Sequence, residues 1–276
     1  MPDKHDIRPE QSLELLKELH ILTRDGKMNQ DSRRKIKQVN HLFRFIEPLL
    51  EEIRRERPDM TLVDVGAGKS YLGFILYDLY FKHQRAASKI FGIESREELV
   101  TSARRLADRL AFNGMYFLEI NVSDALTSDR LPPTVDMVTA LHACDTATDD
   151  AISFALHKQA KFIVLVPCCQ AEVATELRKQ KGSAATGALS EIWRRPLHTR
   201  EFGSHVTNVL RCLQLESHGY QVNVTELVGW EHSMKNELII ASFKNLTGQR
   251  AAERLKELLL MLGLQGMNHR FFVPDR

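Results

Sequence analysis

Apolar residues in the first sixty positions recur at helical spacing. The run SLELLKELHIL (residues 12–22) sets Leu13, Leu16 and Leu19 in one helical register. A second run spaces Ile36, Val39, Phe43, Ile46, Leu50 and Ile53 three and four residues apart, a single stripe along a longer helix that Pro48 is expected to kink or split. From residue 61 the pattern changes. Short apolar runs, TLVDV (61–65), KIFGI (89–93), MYFLEI (115–120), VDMVTAL (135–141) and KFIVLV (161–166), alternate with helical stretches such as ELVTSARRLADRLAF and DDAISFALHKQ. That alternation predicts a parallel sheet covered by helices on both faces. A helix around HVTNVLRCLQLESHG then precedes two more strands, YQVNVTELV (220–228) and ELIIASF (237–243). About eight residues separate this last pair, too few for a helical crossover, so they are expected to form an antiparallel hairpin. The expected organisation is a helical extension over 1–58, an α/β domain of seven strands over 59–245, and a C-terminal helix and tail over 246–276.

Composition narrows the setting without changing that picture. Of 276 residues 43% are hydrophobic and 27% charged, ordinary for a soluble globular protein. No apolar run is long enough to span a bilayer, and the opening MPDKHDIRPE lacks the apolar core of a secretory signal. No membrane partner is expected. The cysteines Cys144, Cys168, Cys169 and Cys212 include an adjacent pair and no CxxC spacing, so a reducing cytoplasm is the expected location. A net charge of +2 with a pI near 8.3 is too mild to announce nucleic-acid binding by itself.

The sharpest local signal is Leu62-Val63-Asp64-Val65-Gly66-Ala67-Gly68-Lys69-Ser70-Tyr71-Leu72, between the first strand and a helix. Glycines at 66 and 68 allow a tight turn and close approach to a ligand. Two phosphate-binding readings fail. A GxxxxGKS loop needs glycine where Val63 stands, and a GxGxxG loop needs glycine where Tyr71 stands. A loop without a phosphate cradle suits S-adenosylmethionine, which carries no pyrophosphate. Asp64 would accept from the cofactor's ammonium, and Glu94, after the second strand, from the ribose hydroxyls. The segment Asn121-Val122-Ser123-Asp124, after the third strand, would read the adenine amino group. Asp64 alone could be a turn cap, but its joint occurrence with the glycine loop and Glu94 at successive strand ends makes that a poor account.

Three chemically rich segments fall at the same sheet edge. They are Leu141-His142-Ala143-Cys144-Asp145-Thr146-Ala147-Thr148-Asp149, Pro167-Cys168-Cys169-Gln170, and the hairpin turn Glu231-His232-Ser233-Met234-Lys235-Asn236. With these motifs in view, the stretches DVGAGKSYL, LHACDTATDDAI, PCCQ and EHSMKNELII resemble a widely distributed methyltransferase group. Its members carry DVG-x-GKG-YL, LHACDTATD, PCCH and EHT-x-KN at corresponding places. The resemblance spans roughly residues 35 to 243. It implies a class I fold, a Rossmann-like seven-stranded methyltransferase sheet, with S-adenosylmethionine as cofactor, and it names no substrate. This chain departs from it at Ser70, Gln170 and Ser233, where glycine, histidine and threonine are usual. The expected cofactor-binding set is Asp64, Gly66, Ala67, Gly68, Tyr71, Glu94, Ser123, Asp124 and Leu141.

Several chemistries remain open at the edge. Asp145 and neighbouring polar groups could orient a nitrogen or oxygen lone pair for direct attack on the sulfonium methyl. Cys168 or Cys169 could add to C6 of a pyrimidine and activate C5. His142, Cys144, Cys168 and Cys169 could instead gather round zinc, although the spacing is not a recognised one and no metal is assigned. Set against all three, the cysteines could simply line the pocket and His142 could be a core histidine. Candidate catalytic residues are therefore Asp145, Cys168, Cys169 and His142, and candidate substrate contacts are His232, Lys235 and Asn236, unless that turn merely faces water. RNA is the leading acceptor class, on the basic cluster Arg33, Arg34, Lys35 and Lys37 and a second stretch with Arg178, Lys179, Lys181, Arg194, Arg195 and Arg200. For the first cluster taken alone, a solvated helix face is the preferred reading over an RNA grip. A protein or small-molecule acceptor, and a non-catalytic S-adenosylmethionine- or RNA-binding module, are the alternatives.

Overall fold

The computed structural model describes residues 7–23, 25–84, 87–141, 143, 145–167, 170–179, 188, 191–227 and 237–274. His142, Cys144, Cys168, Cys169, His232, Ser233, Lys235 and Asn236, and the side chain of Arg34, lie outside the described residues.

Helix α1 (Leu13–Glu18) starts on Ser12, whose Oγ accepts from the Leu15 N–H at 3.2 Å. It is a short helix, and its inward side is Leu15 and Leu16, with Leu19 just beyond its end. The expected register holds for Leu16 and Leu19 and fails for Leu13, which is 55% exposed. Leu13 projects roughly a third of a turn away from the buried side. Helix α2 (Gln30–Glu56) is capped by Asn29, whose Oδ1 accepts from the Ser32 N–H at 2.8 Å. Pro48 does not split it. Pro48 lies on the exposed side, where water can serve the Arg44 carbonyl that proline leaves without a donor.

The strands are β1 (Thr61–Val65), β2 (Lys89–Glu94), β3 (Met115–Glu119), β4 (Met137–Ala140), β5 (Phe162–Leu165), β6 (Tyr220–Glu226) and β7 (Glu237–Phe243). They form one sheet in the order β3-β2-β1-β4-β5-β7-β6. Strands β1 to β5 pair in parallel, and β7 runs antiparallel to both β5 and β6. The expected hairpin is therefore present, with its second strand inserted beside β5 and its first at the sheet edge. This is a Rossmann-like, seven-stranded sheet, as expected.

Alternate residues along each strand feed two cores, as the two-residue period requires. Leu62, Ile90, Met137, Phe162 and Leu238 share one core with α2, α3 (Tyr71–Leu79) and α4 (Glu97–Arg109). Val63, Ile93, Val138, Ile163 and Ile239 face α6 (Thr146–His157) and Leu215. A short α5 (Val122–Ala125) follows β3. Helix α7 (Glu172–Lys179), α8 (Pro196–Ser217) and α9 (Gln249–Met261) close a third cluster on Trp193, Leu210, Leu259 and Phe271. Helix α8 starts nine residues before the sequence pattern placed it, with Pro196 in its first turn, where a missing N–H costs nothing. Among the described residues no helix is long and apolar enough to cross a membrane.

Strand order reverses between β1 and β4, and in an open sheet of this kind the crevice for a ligand opens there, at the carboxyl ends.

Candidate functional site

Two cavities meet at that crevice. One, of about 640 Å³, runs from Gly66 along the ends of β2 and β3 to α6. The other, of about 220 Å³, lies under the loop after β1. Gly66 and Arg96 line both. Gly66 has φ +64° and Gly68 φ +57°, conformations that explain glycine at both positions independently of available space. Ser70 holds the same left-handed geometry, φ 51°, immediately before α3. A glycine there would hold the same geometry without a side-chain penalty.

Asp64 is buried at the floor of the smaller cavity. Its Oδ1 accepts from Thr139 Oγ1 at 2.8 Å, across a registered β1–β4 pair. Burial pushes its carboxyl up to about 7, tempered by the hydroxyls of Thr139 and Ser70. The Ser70 hydroxyl is itself buried and makes no well-formed hydrogen bond among the described residues, so its help to Asp64 is electrostatic proximity. Tyr71 and Leu141 complete this end. The Tyr71 hydroxyl donates to the Leu19 carbonyl, which ties the loop to the end of α1. Burial raises the Tyr71 hydroxyl, and the charge of Lys35 opposes the rise.

Glu94 borders the larger cavity at the end of β2. Its Oε2 accepts from the Gly68 N–H at 2.8 Å, and Oε1 from the Arg96 N–H at 3.1 Å and Arg96 Nε at 2.9 Å. Burial works to raise Glu94, but the Arg96 guanidinium and these backbone donors outweigh it and leave the carboxyl below its usual range. It is an ionised acceptor held at the mouth of the glycine loop. Ser123 lines the cavity, together with Asn121 and Val122; Asp124 is exposed and lines neither cavity. Asp150 and Ser153 of α6 form the opposite wall. Arg270, from beyond α9, pairs with Asp150 at 3.1 Å.

Beyond β4, Asp145 adopts φ 53° and ψ −121°, a conformation rare outside glycine. Its Oδ1 accepts from the Ala171 N–H at 2.8 Å and the Glu172 N–H at 3.2 Å, so it fastens the β4 loop to the start of α7. Arg211 holds this geometry from beneath. Its Nη2 donates to the Asp145 carbonyl at 2.9 Å and, with Nε, grips the Asp149 carboxylate. Gln170 is buried. It donates to Asn208 Oδ1 at 3.1 Å and accepts from Ser204 Oγ at 2.7 Å. An amide in that setting anchors a loop and moves no proton. Cys212 is the one cysteine among the described residues. Burial, and then Glu216 and Glu237, push its thiol up to about 12, far from nucleophile chemistry.

The structure thus gathers Asp64, Gly66, Ala67, Gly68, Tyr71 and Leu141 at one cavity and Glu94 and Ser123 at the other. Sequence reasoning did not assign Arg96, Lys69, Asp150 or Arg211. Arg96, two residues past an acidic strand end, carried a weak signal; Arg211 in mid-helix carried none. The cradle fits S-adenosylmethionine: an ionised acceptor for ribose, a buried carboxyl for an ammonium, and glycine backbone between them.

Residues 34–176, just over half of the chain, match the methyltransferase-domain family. The chain is also 24% identical over 245 residues to the glutathione S-transferase C-terminal domain-containing protein of Bos taurus, a match covering 80% of this chain and 35% of that protein. The Mus musculus counterpart is 26% identical over 150 residues, covering 54% and 21%. The chain spans about a third or less of the length of these relatives. Among solved structures, precorrin-6y C5,15-methyltransferase from Geobacter metallireducens aligns with TM-score 0.40 and 18% identity, over 67% of this chain and 80% of that one. The family match covers just over half of the chain, and the chain belongs to the methyltransferase-domain family.

Proposed function

We propose that this chain is an S-adenosylmethionine-dependent methyltransferase that methylates RNA by direct transfer, acting from a catalytic domain over residues 59–245 with α1 and α2 as an N-terminal extension. What supports the acceptor class is the basic start of α2, with exposed Arg33 and Lys37 and with Lys35, whose charge is felt at the Tyr71 hydroxyl. A polyanion is drawn to such a surface. Bound between Asp64 and Glu94, S-adenosylmethionine supplies an electrophilic methyl group on sulfur.

The chain's own contribution is alignment. Asp64 takes the ammonium, Glu94 the ribose hydroxyls, and Ser123 with Asn121 the adenine edge. Asp145, fixed at the end of β4, orients the acceptor atom and receives hydrogen bonding from it; in-line positioning supplies most of the rate. Cys168, Cys169 and His142, and His232, Lys235 and Asn236, all outside the described residues, are the further candidates for acceptor handling that the sequence offers. The adjacent cysteines fit a reducing cytoplasm as the place of action.

Incubation of the full chain with methyl-labelled S-adenosylmethionine and separate pools of total RNA, protein and small metabolites tests the acceptor. Label in RNA, lost in Glu94→Ala, is expected. Label confined to protein or metabolites overturns the RNA reading and leaves the methyltransferase standing.

A further inference from the structure

A third cavity, of about 310 Å³, lies between the end of α1 and the outer face of α4. Its floor is Leu19, Leu99, Ala103 and Leu106, and its rim carries His20, Lys69 and Arg105. Lys69 also lines the smaller cofactor cavity, and Leu19 is the residue to which Tyr71 is bonded. The space therefore opens one side chain away from the loop end of the crevice.

Its charge is one-sided. Glu18, the acidic residue on the wall, is paired with Arg109 Nη2 at 2.7 Å, and Arg109 Nε reaches Glu14 at 3.1 Å. These three charges satisfy one another. Lys69 and Arg105, by contrast, make no hydrogen bond or ion pair among the described residues. His20, at φ 54° after α1, lines the same rim. Two unpaired cations and an imidazole thus surround a concavity with an apolar floor, of the size that takes a nucleotide. Surface cations spread over a convex face repel each other and gain little. Gathered on a concave rim they focus potential on one spot.

We propose that this cavity is a phosphate subsite for the methyl acceptor, in which Arg105 forks onto a backbone phosphate of RNA, Lys69 bridges from it towards the cofactor, and His20 donates to the same group. The assignment rests on the RNA reading above and extends it from a general basic surface to one seat. Guanidinium geometry matches phosphate bidentately. A phosphate held there fixes the strand at a defined distance from the crevice, which gives register as well as attraction.

The test uses the full chain with S-adenosylhomocysteine present and a fluorescein-labelled single-stranded RNA, read by polarisation across a salt series. Arg105→Glu is compared with Arg250→Glu, a reversal at an exposed position of α9 away from the crevice. Arg105→Glu is expected to weaken RNA binding about tenfold and reduce the slope of log affinity against log salt by roughly 0.7, the value for one lost phosphate contact on a single strand. Arg250→Glu should do neither, and S-adenosylhomocysteine affinity should be unchanged in both. Equal losses in the two variants overturn the seat in favour of diffuse attraction. If the wild-type chain binds no RNA, the acceptor reading fails on its own, and calorimetric titration with inorganic pyrophosphate decides the cavity. Binding that Arg105→Glu abolishes upholds an anion seat for a different phosphorylated acceptor, and no binding overturns it.

Discussion

Arg211 and Asp149, sixty-two residues apart in sequence, meet in complete burial, with Nε to Oδ1 and Nη2 to Oδ2 both at 2.7 Å. The same guanidinium holds the Asp145 carbonyl and donates to Asn208 Oδ1 at 3.2 Å. Every polar face of Arg211 is used to fix the loop that follows β4.

Removing one partner leaves the other charged and unmatched in the interior. Arg211→Met is expected to destabilise the fold by about 3–5 kcal/mol. Arg211→Lys should recover little, because an ammonium cannot span both carboxylate oxygens and the Asp145 carbonyl together. The double variant Arg211→Met with Asp149→Leu should regain much of the loss, since an apolar pair leaves no buried charge. Urea denaturation measures all three. A loss below about 1 kcal/mol in Arg211→Met would contradict the burial described here.

Asp64 gives a pH dependence with a definite sign. Its carboxyl sits at about 7 when folded, against a usual value near 3.8. A raised carboxyl favours the folded state while protonated, so this contribution is full below pH 4 and is lost as pH rises through about 7. Cofactor affinity moves the other way. The cofactor ammonium prefers the carboxylate, so binding should strengthen as pH rises through about 7 and should release a proton from Asp64. Calorimetry in buffers of differing ionisation enthalpy reads that proton. In Asp64→Asn the pH dependence should flatten at a lower overall affinity. An unchanged pH profile in that variant would assign the titration to another group.

Ser70 pays for its position in backbone strain, and its hydroxyl restricts a neighbour. A Cβ placed on Gly73 would come within 2.6 Å of Ser70 Oγ. Ser70→Gly should therefore stabilise the fold by about 1 kcal/mol through relief of the left-handed residue. Gly73→Ala should destabilise the natural chain and do so less in the Ser70→Gly background. Thermal unfolding of the four variants yields the coupling between the two positions; strict additivity would show that the hydroxyl is not what excludes a side chain at 73.

The strands were legible because each is a short apolar run ending at a turn, and the hairpin because its connection is too short for anything else. The tight turn after β1 was legible because Gly66 and Gly68 sit between a strand and a helix. The β4 anchor was not. Arg211 lies in mid-helix with no local pattern to mark it, and Asp149 reads in sequence as part of a polar run following Asp145. Their pairing exists only after α8 has packed across α6. Leu13 misled for a related reason: its spacing to Leu16 is helical, but α1 ends too soon for its stripe to be defined by periodicity. Gln170 was legible as a departure, while its role as a buried anchor depends on Ser204 and Asn208 of α8.

Asp145 is where position and chemistry are hardest to separate, because its carboxylate already holds two backbone N–H groups and its φ is positive. Alanine at 145 would remove the acceptor, the charge and a residue type tolerant of that backbone all at once. Asparagine separates them. It keeps an oxygen for Ala171 and Glu172, and it accepts positive φ nearly as readily as aspartate. If the aspartate only fastens the loop, Asp145→Asn should retain most of its turnover. If its charge orients the acceptor, as proposed, Asp145→Asn should lose about a hundredfold in kcat with thermal stability and cofactor affinity intact. The cysteines provide the opposing arm. Cys168→Ala and Cys169→Ala should keep appreciable turnover, and a 5-fluoropyrimidine RNA should trap no adduct. Loss of turnover in either cysteine variant, with an adduct in the natural chain, would transfer the chemistry to covalent catalysis. Near-stoichiometric zinc lost on Cys144→Ala would transfer it to a metal. Full activity in Asp145→Asn with silent cysteine variants would leave Asp145 as an anchor alone and send the search for the orienting group to the hairpin turn at His232 and Lys235.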